Sequence, residues 1–235
     1  MSTCTCIIPF YNEEDRIISV LSELSKIKEF DEIILVNDWS TDNGSKLVKD
    51  FIKDLQHIKL IEYQPNHWKS HAVKQWLLQA KSDYVFFFDA DLKWVKHGEI
   101  SRVVTTLYNH PELDIWILRR IHSKRYLKIF MIDLLLSWER MLKIEDAKKI
   151  FSNQVSWYEM EMAINSYIVK EKKNGAWFPS SARNTFKIKK YWTIDWLIKE
   201  FRMYRNIFRY KGFFECVKTS TRLVTKNIQS YKKID

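Results

Sequence analysis

Short apolar runs and helix-period stretches alternate along the first half of the chain. Thr5-Cys6-Ile7-Ile8 reads as a first strand, and Ile17, Val20, Leu21, Leu24 and Ile27 then recur at helical spacing. Glu32 to Val36 is a second strand, Ser45 to Leu55 a second helix, and Ile58 to Ile61 a third strand. Ser70 to Ala80 predicts a third helix, Tyr84 to Phe88 a fourth strand, His97 to Tyr108 a further helix, and Asp114 to Leu118 a fifth strand. Strands alternating with helices of this length predict an α/β fold with a mostly parallel sheet flanked by helices on both faces. Ligands of such sheets bind outside the carboxyl ends of the strands. Three polar clusters fall at those ends: Tyr11-Asn12-Glu13, Asn37-Asp38 and Asp89-Ala90-Asp91.

After residue 120 the rhythm changes. Lys124 to Lys149 is mostly helical by periodicity, and Ser156 to Glu171 is a further helix. Residues 175–189 are short and extended in character. Residues 192–210 are amphipathic, with Ile194, Leu197, Ile198, Phe201, Tyr204 and Phe208 on one face. A last helix is expected over Phe213 to Ile228. The expected organisation is one domain with a helical C-terminal extension: residues 1–120, 121–190 and 191–235.

Charge changes the picture at one end. The net charge is +10, yet residues 1–182 carry 25 Lys/Arg against 25 Asp/Glu, while residues 183–235 carry 14 against 4. The excess is confined to the last segment, where aromatics interleave with the basic residues. That segment suits a solvated helix face, an anionic membrane surface or an acidic partner. A nucleic-acid partner is not expected, because no recognition motif accompanies the basic end. Three cysteines without a spaced framework point to a reducing, cytoplasmic compartment. Cys4 and Cys6 alternate on one strand and are expected in the core. No secretory leader is expected, and no run of about 18 apolar residues predicts a membrane span.

Three loops hold the candidate chemistry. In Phe88-Asp89-Ala90-Asp91-Leu92, two carboxylates two residues apart follow an apolar strand. A backbone curling at a strand end lets both reach one hard cation, Mg2+ or Mn2+, that also takes phosphate oxygens. The bland reading is a loop or helix cap. In Val36-Asn37-Asp38-Trp39-Ser40-Thr41-Asp42, Asp38 is placed to accept from a base or ribose, whereas Thr41 and Asp42 suit helix capping. In Pro9-Phe10-Tyr11-Asn12-Glu13-Glu14, Asn12 suits a cap, Tyr11 a stacked base and Glu13 a ribose or base edge.

Taken together, these loops resemble the family-2 glycosyltransferases of the GT-A fold. The pattern P-x-Y-N-E-E, then V-[DN]-D-G-S-x-D, then D-x-D after an apolar strand, is met in order. Asn66-His67-Trp68-Lys69-Ser70-His71-Ala72 resembles the family's N-x-G-K-G-x-A segment. The resemblance implies that Pro9, Tyr11, Glu13, Asp38 and Lys69 contact a nucleotide and that Asp89 and Asp91 hold the metal. Trp39, Trp68 and Ser70 replace glycines of the pattern, where positive φ or close approach to a ligand is expected.

The second half resembles the polyprenyl-phosphate type, relatives of dolichol-phosphate mannosyltransferase. Ser137-Trp138-Glu139-Arg140-Met141-Leu142 is similar to S-G-[EQ]-R-x-L, and Tyr158 to Asn165 to Y-G-x-E-x-A-x-N. Arg119-Arg120 sits where a G-S-R element follows strand five, and Phe186 to Lys190 resembles a basic stretch before the last helices. This likeness implies phosphate contacts for Arg119, Arg140, Lys187 and Lys190, and an acceptor-side place for Glu161. It implies inverting transfer of a sugar from a UDP- or GDP-linked donor to a lipid phosphate or glycan at the cytoplasmic membrane face. A hydroxyl acceptor would need a carboxylate base: Glu161 first, then Glu139 or Glu159. Residues 1–120 would then be the donor half, with Asp91, Glu161 and Arg140 the candidate catalytic set. The rival expectation is a non-catalytic nucleotide-binding or scaffold protein on the same fold.

Overall fold

The computed structural model describes residues 2–62, 76–77, 80–123, 132–152, 160–184, 218–219 and 221–230. Strand β1 (Cys4–Phe10) is followed by helix α1 (Ile17–Leu24), β2 (Glu32–Asn37), α2 (Gly44–Ile52), β3 (Ile58–Glu62) and β4 (Tyr84–Phe87). Then come β5 (Leu92–Lys93), α3 (His97–Asn109), β6 (Ile115–Arg120), α4 (Ile132–Leu135) and β7 (Arg140–Lys143). The described chain continues with α5 (Ile144–Phe151), α6 (Met160–Lys170), β8 (Gly175–Ser180), β9 (Arg183–Asn184) and β10 (Ile228–Ser230). Of the expected third helix, Trp76, Leu77 and Ala80 are described; the first two are helical and Ala80 is not. The expected helix at 192–210, Cys216, Tyr158, Glu159, Lys187, Lys190 and the Asn66 to Ala72 segment lie outside the described residues.

Among the described residues, eight strands form one sheet in the order β10-β8-β6-β7-β4-β1-β2-β3. β7 alone runs antiparallel to its neighbours, β4 and β6. The chain adds β2 and β3 on one side of β1, then returns to place β4 on the other. The strand order therefore reverses between β1 and β4, and a crevice opens at their carboxyl ends.

Both faces of the sheet are buried, which is why its strands read as near-continuous apolar runs. Cys4, Cys6, Ile8 and Phe10 of β1 pack with Ile33 and Leu35 of β2 and with Tyr84 and Phe86 of β4 in one layer, under α1 and α3. Ile7, Ile34, Val36, Val85 and Phe87 face the other layer, covered by α5 and α6. Both thiols are fully buried and free, and burial pushes both up, which makes them inert. Pro9 lies beyond the stretch of β1 that pairs with β4, Cys4 to Ile7, so its missing N–H breaks no bond on that side.

Lys124 to Lys149, expected to be mostly helical, is described from residue 132 onward, where α4 and α5 are helical and the strand β7 stands between them. Arg140, Met141, Leu142 and Lys143 are all good helix formers. Pairing on both sides overrides that preference, burying Met141 in one layer and Leu142 in the other. The last helix does not reach Ile228. Helical turns give way to a π-turn at Leu223–Asn227, and Ile228–Ser230 joins the sheet as β10. Asn227 Nδ2 donates to the Lys173 carbonyl at 2.8 Å, which anchors the chain where it leaves the helical path.

Gly175 opens β8 between β6 and β10. A Cβ there would stand 2.6 Å from Ile115 Cγ2 and 2.9 Å from the Ile115 carbonyl. Gly175→Ala is expected to destabilise the fold by about 1–3 kcal/mol through overpacking, measured by urea unfolding.

Candidate active site

The site is built on the crevice between β1 and β4. Two loops on its β1–β2 side are laced together. Asn12, at φ 53°, donates its backbone N–H to Ser40 Oγ at 3.0 Å and accepts from Thr41 N at 2.8 Å. Asn12 thus bridges loops and does not cap α1, whose first residue is Ile17. Glu14 accepts from Asn43 N at 2.8 Å, while Asp42 accepts from Glu14 N at 2.9 Å and Gly44 N at 3.0 Å. Asp38 continues the ladder, its N–H bonding the Phe10 carbonyl at 2.9 Å. Glu13 is buried and accepts from Arg16 Nε at 2.8 Å. Pro9 is buried beneath the loops, and Tyr11 is exposed above them. The five residues expected to meet a nucleotide are Pro9, Tyr11, Glu13, Asp38 and Lys69. The first four converge here, and Lys69 lies outside the described residues.

Trp39 stands where the pattern has glycine, and its φ is 59°. The position keeps the left-handed backbone, and a residue with a Cβ adopts it at a cost of about 1–2 kcal/mol. Bulky residues held in this region cluster at functional sites. The indole is 51% exposed, so little packing offsets the strain.

Across the crevice, Asp89 and Asp91 follow β4. Arg120 Nη2 meets both oxygens of Glu139 at 2.8 and 2.7 Å and Asp89 Oδ2 at 3.4 Å. Ser137 Oγ lies 2.9 Å from Glu139 and 2.8 Å from the Leu118 carbonyl, the two acceptors open to its hydroxyl proton. Burial opposes the charge on Glu139 most strongly, but the charge of Arg120 together with hydrogen bonds from Asp89, Arg120 and Ser137 holds this carboxyl below the usual range. Asp89 is pushed well above that range, first by burial, then by Glu139 and Asp91. Asp89, Asp91 and Glu139 thus lie within electrostatic reach of one another and of Arg120, a carboxylate-rich cluster of the kind that suits a cation.

The Asp89 side chain is 33% exposed. Among the described residues no three His, Cys, Asp or Glu side chains form a closed ligand set. Two carboxylates two residues apart are hard oxygen donors of the type that hold Mg2+ or Mn2+ together with phosphate and water oxygens. The donor set thus fits the ion expected from Asp89 and Asp91.

The other expected residues divide. Glu161 lies in the first turn of α6, and its carboxyl is raised, first by burial. It feels the charges of Arg140 and Glu139, so it belongs to the same electrostatic cluster. Arg140 is fully buried. Its guanidinium donates to the carbonyls of Ser137 at 2.6 Å, Leu134 at 3.3 Å and Leu135 at 2.6 Å, and to Asn165 Oδ1 at 2.5 Å. Burial lowers it to about 10. A guanidinium spent on carbonyls beneath the site does not meet a phosphate, so the expected phosphate contact becomes a positioning role. Arg119 pairs with Asp133 at 2.9 and 3.4 Å and stacks 5.1 Å from the Trp177 ring centroid.

The arginine that reaches the carboxylates is Arg120, which the motif comparison passed over. Neighbouring strand residues point to opposite faces, and nothing in Arg119-Arg120 itself shows which face holds the site. Glu139, named only as a secondary base, is a structural partner of the metal motif. The signal available was its place one residue before a buried strand.

The chain is 39% identical over 88 residues to a poly-beta-1,6-N-acetyl-D-glucosamine synthase of Staphylococcus aureus, covering 37% of this chain and 21% of that protein. It is 34% identical over 110 residues to a teichoic acid poly(glycerol phosphate) polymerase of Staphylococcus epidermidis, covering 46% and 14%. The matches thus span only about a fifth or less of these relatives' length. Glucosyl-3-phosphoglycerate synthase from Mycobacterium tuberculosis, in complex with Mn2+, UDP and phosphoglyceric acid, superposes with a TM-score of 0.68. That likeness is 16% in sequence and covers 88% of this chain and 76% of that one. Mannosyltransferase PcManGT from Pyrobaculum calidifontis, with GDP-Man and Mn2+, gives 0.65 at 15% identity, covering 93% and 72%. The shared architecture is the GT-A fold. The model for Glycosyl transferase family 2 matches residues 5–216, most of the chain, and the chain belongs to that family.

Proposed function

We propose that this chain moves a sugar, with inversion, from a UDP- or GDP-linked donor to an acceptor carried at an anionic membrane surface. The observation that carries the reading is the open Asp89–Asp91 pair at the strand-order reversal, opposite the laced loops of Tyr11 and Asp38. Residues 1–120 would serve as the donor half, 121–190 as the acceptor half, and 191–235 as a basic extension at the cytoplasmic membrane face. Tyr11, Asp38, Glu13, Pro9 and Lys69 would seat the nucleoside. Asp89 and Asp91 would hold Mg2+ or Mn2+, which when bound offsets charge growing on the departing diphosphate. Glu139 and Arg120 fix the rotamer of Asp89, and Arg140 fixes the loop before β7. The solved relatives hold Mn2+ with UDP in one case and GDP-Man in the other, which supports the donor class and leaves the base open.

The basic end and the likeness to polyprenyl-phosphate enzymes favour a lipid phosphate acceptor. Among the described residues no helix is long and apolar enough to cross a membrane, so contact would be through the surface. A phosphate acceptor is already anionic and needs no base. The raised carboxyl of Glu161 favours a second reading, in which a glycan hydroxyl gives its proton to that residue. Glu161→Gln separates the two. For a hydroxyl acceptor it is expected to lower kcat by about 10²–10⁴-fold and to remove an acid limb displaced above 4.5. For a phosphate acceptor kcat should stay within about threefold, since no proton is transferred.

The test is a donor screen: UDP- and GDP-sugars with Mn2+, reading released nucleotide and thermal shift. Turnover of one donor class supports the reading. A thermal shift without turnover, whatever lipid acceptor is supplied, points to the non-catalytic alternative, and no response to any donor rejects both. Trp39→Gly is expected to weaken the preferred nucleotide by about tenfold if the indole stacks on the base. Relief of the left-handed strain should hold its melting temperature within about 2 °C of wild type.

A further inference from the structure

The ribbon formed by β5 and β9 starts one residue after Asp91 and carries a feature the nucleotide site does not use. Its strands pair with Leu92 opposite Asn184 and Lys93 opposite Arg183. Directly opposed residues share a face, so two cations stand side by side, an arrangement that weakens a strand pair. Regular alternation would send Trp94 to the other face. Its backbone instead turns left-handed, at φ 58°, and Arg183 Cζ lies 3.9 Å from the Trp94 ring centroid. The indole remains 58% exposed.

Arg183 Nε is buried with no hydrogen-bond partner, and among the described residues no carboxylate pairs with the guanidinium. Three unfavourable features thus coincide: a strained tryptophan, an unmatched buried donor and two opposed like charges. An anion meeting the Nη atoms of the guanidinium would offset the opposed charges. The ribbon is built rigidly enough to hold one. Ser181 donates from its backbone N–H and its hydroxyl to Glu99 at 2.7 and 2.6 Å, which ties the approach to β9 to the first turn of α3.

We propose that Arg183, Lys93 and Trp94 form the recognition site for the phosphate monoester of the acceptor. Stacking on the indole fixes the guanidinium plane and leaves its edge donors in the fork that matches phosphate oxygens. Position assigns the site to the acceptor. The nucleoside loops leave β1 and β2, whereas β9 follows β8, on the far side of β4. Trp94 is three residues past Asp91, so their Cα atoms are at most about 10 Å apart and the site adjoins the metal motif. The proposal rests on the transferase reading above.

The test is equilibrium binding to the full chain by calorimetry. The probes are phenyl phosphate in solution and phosphatidylcholine vesicles with and without undecaprenyl phosphate, each run beside UDP or GDP with Mn2+. Arg183→Gln is expected to weaken phosphate binding about tenfold or more, with Arg183→Lys recovering part of it and nucleotide binding unchanged. Trp94→Ala should fall between, because the guanidinium loses its fixed plane. A preference for the soluble or the vesicle probe identifies the source of the phosphate. Absence of phosphate binding in wild type, or its survival in Arg183→Gln with a native melting profile, overturns the proposal. Equal loss of nucleotide binding in Arg183→Gln and Arg183→Lys also overturns it, by moving Arg183 to the donor side. Arg183-dependent phosphate binding without any nucleotide binding would leave this site standing and remove the transferase reading alone.

Discussion

Asp91→Asn is expected to lower sugar transfer by about a thousandfold, or about 4 kcal/mol of barrier, with the fold intact. The side chain stays the same size and keeps one oxygen, so packing beside Leu92 is preserved. What goes is a full negative charge that would draw the cation. Steady-state turnover with the donor found in the screen, alongside the thermal midpoint, checks this. A loss below about threefold would exclude the carboxylate pair from the chemistry. Asp89→Asn should lose activity similarly but differ in stability without metal. The Asp89 carboxyl is raised, so between its ordinary value of 3.8 and its raised value the folded state binds the extra proton. Stability is therefore lost as pH rises through that window. Asp89→Asn removes the loss and should melt above wild type at neutral pH, with the difference shrinking towards pH 3.8. A variant that is more stable and less active is the behaviour of a site whose repulsion is kept for a ligand.

The parts of the molecule legible from its amino-acid order are those where one local pattern has one structural solution. β1, β2 and β4 are buried on both faces, and their apolar runs allow little else. Their carboxyl ends then locate Tyr11, Asp38 and Asp89 without reference to the rest of the chain. Trp39 in a glycine position keeps the left-handed φ that the pattern leads one to expect there. β7 was hidden because Arg140, Met141, Leu142 and Lys143 prefer helix, and only β4 and β6 on either side make them a strand. β10 was hidden because Asn227, far along the chain from its acceptor on Lys173, redirects the backbone. The choice between Arg119 and Arg120 was equally non-local. It depends on which face of β6 meets Glu139, and that is set by register with β7 and β8. Long-range contacts thus decided β7, β10 and the choice of Arg120, where the periodic pattern alone did not.

The same non-local pair carries the largest expected effect on stability. Glu139 is 1% exposed, and Arg120 is the cation that meets both its oxygens. Arg120→Met is expected to cost about 3–5 kcal/mol in urea unfolding, the range for breaking a buried pair from one side. The cost arises from the carboxylate left behind, more than from the lost bonds. Adding Glu139→Gln to Arg120→Met should therefore recover most of the stability, because the buried charge is gone. Asp89 supplies the control. It shares Arg120 but at the longer distance of 3.4 Å and with its side chain one-third exposed, so Asp89→Asn in the Arg120→Met background should recover less. If both double variants recover equally, Arg120 answers the summed charge of the cluster and not Glu139 in particular. If neither recovers, the guanidinium acts mainly by packing. Recovery by Glu139→Gln alone would identify Arg120 as the residue that lets a buried carboxylate sit beside the metal motif.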